Sequence, residues 1–315
     1  MALVNLEPPE IAGCACDGYD LLDQNIEARA REVELVAIDL DGTLFTDEKT
    51  ITPRTVAAIR AALGSGIHVV PATGRVLSIL PAELFGVPGM EYAVGCAGAC
   101  VMRLGADRAA SADIHETGMK SDEAADLVHK LVARFGASVF VDVVCHGTIY
   151  TAVDQLDHLD RTTLDGRTQA FVRRTRRVMP NLVDGVRALP GPIGHINLFY
   201  TDPEVRFQLM AWLAKHTDYE LSNSLGWNIE INAAGTSKWN GICWLAAHLG
   251  VRADRVLAIG DSANDVDMIS HAWLGVAMCN AEPGIRARAQ AQTAYDNNHE
   301  GVARMLEELV ELKRD

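Results

Sequence analysis

Residues 33–44 constrain this chain more than any other stretch. Leu35, Val36, Ala37 and Ile38 form a short apolar run with no polar break, the pattern of a strand buried on both faces of a parallel sheet. The run then stops in acid. Asp39 and Asp41 stand two apart, so while the chain stays extended both side chains point the same way, and Gly42 lets the backbone turn. Two carboxylates at the end of a buried strand are costly unless a cation, or a reaction that uses them, compensates. The carboxyl ends of parallel strands are also where open α/β sheets bind ligands. An Asp-x-Asp-Gly run is equally a plain turn or the start of a calcium loop. The calcium loop fails, because Thr43, Leu44, Phe45 and Thr46 follow with no acid before Asp47 and Glu48, and the preceding segment reads as strand, not helix.

The same texture recurs along the chain. Thr52 and Pro53 open a helix in the favoured cap-then-proline arrangement, with Val56, Ile59 and Leu63 as its apolar stripe and Gly64-Ser65-Gly66 as its end. Residues 67–70 are a second buried strand, followed by Thr73-Gly74-Arg75 and a helix, where a phosphate oxygen would meet a helix N-terminus. Residues 91–101 read as a third strand and a turn, with Gly98 in the bend. From 113 to 221 the alternation continues in a less apolar register, with helices at 121–135, 165–177 and 203–216 and strands at 138–144, 148–153 and 195–200. We read this as a separate inserted domain. A strand at 227–231 then leads to Lys238 ahead of a helix at 240–249. Residues 255–259 form a buried strand that again ends in acid, Gly260-Asp261-Ser262-Ala263-Asn264-Asp265. A helix at 265–271, a strand at 274–278, a helix at 282–290 and an acidic helix at 301–312 complete the chain. Such βα alternation implies a doubly wound parallel sheet with right-handed crossovers, hence an α/β fold carrying an inserted α+β cap domain. The expected boundaries are an N-terminal extension at 1–32, a core at 33–112 and 222–315, and the insertion at 113–221. Within the extension a short helix is expected at 20–31.

Composition excludes several function classes. A net charge of −14 over 315 residues argues against nucleic acid as a partner, which calls for clustered Lys and Arg. The basic cluster Arg173, Arg174, Arg176 and Arg177 reads as a solvated face. Seven cysteines, an odd number scattered over this length, do not form a disulfide framework and imply a reducing compartment. Cys14-x-Cys16 and Cys96-x-x-x-Cys100 lack the second pair of a zinc site. No apolar run approaches the ~18–20 residues needed to cross a bilayer, and the N-terminus lacks the layout of a signal peptide. The expectation is a cytoplasmic protein, monomer or homodimer, without a membrane partner.

Four signals stand in one order: Asp39-Leu40-Asp41-Gly42-Thr43 after the first strand, Thr73-Gly74-Arg75 after the second, Lys238 before a helix, and Gly260-Asp261-x-x-Asn264-Asp265 after a later strand. Together they resemble the haloacid dehalogenase superfamily of phosphohydrolases, with its Rossmann-like core. The large insertion resembles the cap of the Cof-like phosphatase branch, and the resemblance covers residues 33–312.

That resemblance implies roles. Asp39 would attack phosphorus and become a transient aspartyl phosphate, and Asp41 would protonate the leaving alcohol and then deprotonate water. Asp39, Asp261 and the main-chain carbonyl of Asp41 would hold Mg²⁺. Thr73, Lys238, Asn264 and the backbone at Leu40 and Gly74 would bind the phosphoryl oxygens, while Asp265 would orient Lys238 or a metal-bound water. The cap would close over the site, with His146, His195, Asn197 and the arginine cluster as specificity candidates. Two positions depart from the family pattern. Trp239-Asn240 separate Lys238 from Gly241, so the loop into the helix is expected to differ, and Ala97 stands where the branch commonly has Asn. Arg75 is expected to pair structurally and Asp47 to be plain surface. The implied activity is a Mg²⁺-dependent phosphatase on a small phosphorylated metabolite such as a sugar phosphate. A phosphomutase of the phosphomannomutase type, or a non-catalytic binding protein, are the rival readings.

Overall fold

A computed structural model describes residues 24–216, 219–222 and 227–314. The expectations for residues 1–23 lie outside these, and the helix that precedes the first strand is Gln24–Arg31. By its internal contacts the chain divides into two compact units, one running to Thr73 and comprising also Pro81–Ala112 and Ser237–Asp315, the other comprising Gly74–Leu80 and Asp113–Thr236.

The first unit is built on five parallel strands in the order Ala291–Gln292, Leu274–Ala277, Val256–Gly260, Leu35–Ile38, His68–Pro71. The two acid-tipped strands are direct neighbours. Leu35 pairs with Val256 and Ile38 with Ile259, so the chain leaves both strands at the same edge of the sheet. All four residues of Leu35–Ile38 are fully buried, which is why the strand carries no polar alternation. Helix Pro53–Gly64 starts where the Thr52 hydroxyl accepts from Thr55 N, with proline in the first turn.

The strand and turn expected at 91–101 are present, with Gly98 in the bend, and a second strand follows. Tyr92–Gly95 and Cys100–Arg103 pair antiparallel across a tight bend at Cys96–Gly98. Gly98 makes that bend possible. It has φ +102, and a Cβ there would stand 1.8 Å from the Ser237 carbonyl oxygen, so the bend lies directly against the loop that leads to Lys238. Thr73 N donates to Val94 O at 2.9 Å and Ala97 N to Thr73 O at 3.2 Å, which fixes Thr73 at this bend as well. The chain after Thr73-Gly74-Arg75 forms a short 3₁₀ turn, Leu77–Ile79, instead of the expected helix. The expected helix at 282–290 is likewise only Pro283–Arg286.

The second unit holds a six-stranded sheet in the order Glu220–Ser222, Asn228–Asn232, Ile193–Tyr200, Val139–Cys145, Thr148–Ala152, Arg177–Met179, antiparallel except for its last pair. Period-2 alternation separates its faces. Val139, Val141, Val143, Ile196, Leu198, Ile229 and Ile231 pack in one apolar cluster with Leu127, Val128 and Leu131 of helix Ser121–Phe135 and with Leu209 and Leu213 of helix Pro203–His216. The alternate positions carry Phe140, Asp142, Asn197, Phe199, Asn228 and Glu230. The expected return to the core at 222 is corrected here. Asn228–Asn232 pairs residue for residue with His195–Phe199, so it belongs to the inserted unit, and the chain re-enters the first unit at Ser237. The expected 165–177 helix ends at Thr175, and Arg177 begins an edge strand.

Candidate active site

The ends of Leu35–Ile38 and Val256–Gly260 bring Asp39 and Asp261 together, and helix Lys238–Leu249 adds its first residue. Ser237 caps that helix, its hydroxyl accepting from Asn240 N, so Trp239 and Asn240 lie in the first helical turn. The departure at Trp239-Asn240 thus falls within the helix and adds no residue between Lys238 and its start. Gly241 sits against the Gly98 bend, where an added Cβ would meet Val94 Cγ1 at 2.7 Å. Lys238 is thereby delivered to the strand ends. Its Nζ donates to Asp39 Oδ1 and to Asp265 Oδ1, both at 2.6 Å, with all three side chains buried.

Asp265 is the hub of the second acidic loop. Its Oδ2 accepts from the backbone of Asp261 at 3.0 Å and of Ser262 at 3.1 Å, the reciprocal half of a capping box in which the Ser262 hydroxyl serves the same turn. Both Asp265 oxygens are therefore engaged. Asp261 Oδ1 accepts from the Thr43 hydroxyl at 2.9 Å. Gly42 has φ +88, and a Cβ there would stand 2.5 Å from Asp261 Oδ2, so only glycine lets the first acidic loop approach the second this closely. Asn280 Nδ2 holds the same turn by donating to Gly42 O at 2.8 Å. Leu40 is buried, and its carbonyl accepts from Phe45 N at 2.9 Å to close the turn. Asn264 accepts from the Ser262 hydroxyl through Oδ1, which leaves its amide nitrogen as the donor. Asp41 stands beside Lys49, whose Nζ lies 2.8 Å from Asp41 Oδ1.

The electrostatics follow from crowding. Burial raises the Asp39 pKa well above the ordinary carboxylate range, Asp265 and Asp261 push it the same way, and Lys238 opposes them. Asp261 is pushed up to about 6, chiefly by burial and then by Asp265, against the Thr43 hydroxyl and Lys238. Burial pushes the Lys238 pKa down, but the Asp265 and Asp39 carboxylates overcome it and hold the ammonium more firmly than in a free lysine. Carboxylates outnumber the one ammonium, and the donor set is all oxygen. Asp39, Asp261 and Asp265 each offer an oxygen within 4.8 Å of the others. That chemistry fits a hard divalent cation.

Residues 36–306 match the family model of the haloacid dehalogenase-like hydrolases. The chain belongs to that family. It is similar to the 5-amino-6-(5-phospho-D-ribitylamino)uracil phosphatase YcsE of Bacillus subtilis (strain 168), 26% identical over 87% of this chain and 95% of the relative. It is also similar to the pyridoxal phosphate phosphatase YbhA of Escherichia coli (strain K12), 25% identical over 86% of this chain and 97% of the relative. Among solved structures, a haloacid dehalogenase-like hydrolase from B. subtilis superposes with a TM-score of 0.71 at 26% identity, over 87% of this chain and 99% of that one. The chain is an enzyme, a phosphohydrolase of the haloacid dehalogenase type. No helix among the described residues is long and apolar enough to cross a membrane.

The remaining sequence candidates fall as follows. Arg75 Nη1 donates to Ile79 O at 3.5 Å. Asp47 is more than surface, because it accepts from the side chains of Asn297 and Asn298, both at 3.0 Å. The arginine cluster is not one solvated face. Arg176 is buried against Asp142 at 2.8 Å, whereas Arg173 pairs with Asp160 in the open. His146 binds Glu116 at 2.5 Å, and Asn197 accepts from Asn228 at 2.9 Å. Ala97 adopts φ +52, a left-handed position that Asn tolerates better than Ala. Thr43, Lys49 and Asn280 were missed; Thr43 lies inside the first motif, but nothing local marks the other two.

Proposed function

We propose that this enzyme hydrolyses the phosphomonoester of a small metabolite, such as a sugar phosphate, by way of a phosphoryl group carried on Asp39. The observation that supports it best is the buried Asp39 carboxylate held by Lys238 at 2.6 Å, with Asp41 two residues on beside the turn. Asp39 attacks phosphorus as the ester P–O bond breaks, and Asp41 gives its proton to the departing alkoxide. Asp41, now ionised, takes a proton from water, which attacks the acyl phosphate and returns Asp39 with inorganic phosphate. Lys238, Thr73, the Asn264 amide and the backbone at Leu40 and Gly74 bind the equatorial oxygens, where charge is redistributed in the transition state. Asp265, both of whose oxygens are occupied, fixes Lys238 and the Asp261 loop. Asp39, Asp261 and the Asp41 carbonyl would hold Mg²⁺, which when bound neutralises the carboxylates and the dianionic ester.

The test is phosphate release from a panel of phosphorylated metabolites, with Mg²⁺ and with chelator, for wild type and Asp39→Asn. Release that requires both the cation and Asp39 supports the reading. Isomer formation without phosphate release would replace it with a mutase.

A further inference from the structure

Asp41 has a neighbour that the mechanism above does not use. The Lys49 ammonium lies 2.8 Å from Asp41 Oδ1, with the two side chains 54% and 35% exposed. An ion pair this open stabilises a fold little, so stability does not account for it. Lys49 nevertheless sits at φ +62. That left-handed conformation is disfavoured for a residue with a Cβ, by more than such a pair returns. Strain of this kind persists where the surroundings over-determine the backbone. Here they do. Lys49 N donates to Thr46 O at 2.8 Å, Thr46 N to Thr50 O at 3.0 Å, and the two threonine hydroxyls meet at 2.9 Å. Asn298 both donates to Asp47 Oδ2 and accepts from Asp47 N, while Asn297 donates to Asp47 Oδ1 and to Phe45 O. A segment some 250 positions further along the chain thus pins the turn that presents Lys49.

We infer that Lys49 is a positioning residue for the proton carrier. The pinned turn delivers its ammonium to Asp41 Oδ1, which fixes the carboxyl group that exchanges a proton with the ester oxygen. This rests on the reading of Asp41 given above. The proton moves from the Asp41 carboxyl group to the ester oxygen as the P–O bond breaks, and Lys49 takes no part in the transfer. An alkoxide leaves poorly unless it is protonated, whereas a nitrophenolate leaves without help. Loss of positioning therefore slows phosphorylation of Asp39 by alkyl esters and spares that step for aryl ones, whereas the later attack of water, which uses Asp41 as base, slows for both.

The experiment compares wild type, Lys49→Met and Lys49→Arg on nitrophenyl phosphate and on the alkyl phosphate that wild type turns over fastest, each pair of rates from one protein sample so that any unfolded fraction cancels. In Lys49→Met the ratio of alkyl to aryl kcat/KM, which reports the step that breaks the ester P–O bond, falls about tenfold, a part of the roughly 10²–10⁴ that a general acid supplies. Lys49→Arg keeps most of the ratio. A Lys49→Met ratio within about twofold of wild type overturns the inference, as does Lys49→Arg falling as far as Lys49→Met. So does a wild type that cleaves the aryl ester and no alkyl ester. Failure of wild type on both esters sinks the phosphatase reading itself, a separate result.

Discussion

Lys238 Nζ lies 2.6 Å from Asp39 Oδ1, with only 1% and 7% of the two side chains open to solvent. Removing the ammonium leaves Asp39 and Asp265 buried without their cation. Lys238→Met is expected to lose about 3–5 kcal/mol of stability in chelator, the usual cost of breaking a buried pair from one side. Urea unfolding measures it, and phosphate release should fall by roughly a hundredfold or more with the loss of a transition-state donor. A variant as stable as wild type would mean that the carboxylates have another partner.

The raised pKa of Asp261 makes metal-free stability depend on pH. Its folded value of about 6 lies above the usual 3.8, so between these values the folded state binds more protons than the unfolded one. Stability then falls as pH rises through that window. A tenfold difference in proton affinity between the two states corresponds to about 1.4 kcal/mol, and the partial exposure of Asp261 reduces the total to roughly 1–2 kcal/mol. Thermal melts in chelator from pH 4 to pH 6 test it. Saturating Mg²⁺ should flatten the slope, because a bound cation favours the ionised form. Identical slopes with and without the ion would count against Asp261 as a ligand.

Gly42→Ala should separate folding from metal affinity. The added methyl would stand 2.5 Å from Asp261 Oδ2, at a φ of +88. We expect a loss of about 1–2 kcal/mol together with a weakened Mg²⁺ shift in melting temperature. Gly98→Ala, whose Cβ would meet the Ser237 carbonyl at 1.8 Å, should displace the start of the Lys238 helix and cost activity even where the variant still folds.

In the second unit, Arg176→Met strands Asp142, a side chain 1% exposed whose Oδ1 has no hydrogen-bond partner even in the wild type. The single variant should cost about 3–5 kcal/mol, and the double variant with Asp142→Leu should recover most of that. Denaturant titration of the three proteins decides. Equal stabilities for the single and double variants would mean that Asp142 is not carrying an uncompensated charge.

How much of this was legible follows from what is local. Asp39, Asp41 and Asp261 announced themselves because an apolar run that ends in acid can be read within ten residues, and their strands proved to be neighbours. The Thr52 cap and Pro53 start were equally local. Sheet membership was not. Asn228–Asn232 has the pattern of a buried strand in either unit, and only its pairing with Ile193–Tyr200 places it. The same holds for Arg176, whose partner Asp142 is 34 residues away, and for Asp47, which meets Asn298 across 251. Short elements misled for another reason: the Leu77–Ile79 turn and the one-turn helix Pro283–Arg286 are too short for periodicity to register.

The central claim is that the phosphoryl group rides on Asp39, and the direct measurement is to trap it. Enzyme turning over its best substrate is quenched in acid, reduced with borohydride, which converts an acyl phosphate to the alcohol, and digested for mass spectrometry. The account predicts homoserine in place of aspartate at position 39 and nowhere else, lost when substrate is omitted. Unmodified Asp39 under conditions of full turnover, or reduction at Asp41 or Asp261 instead, would contradict it.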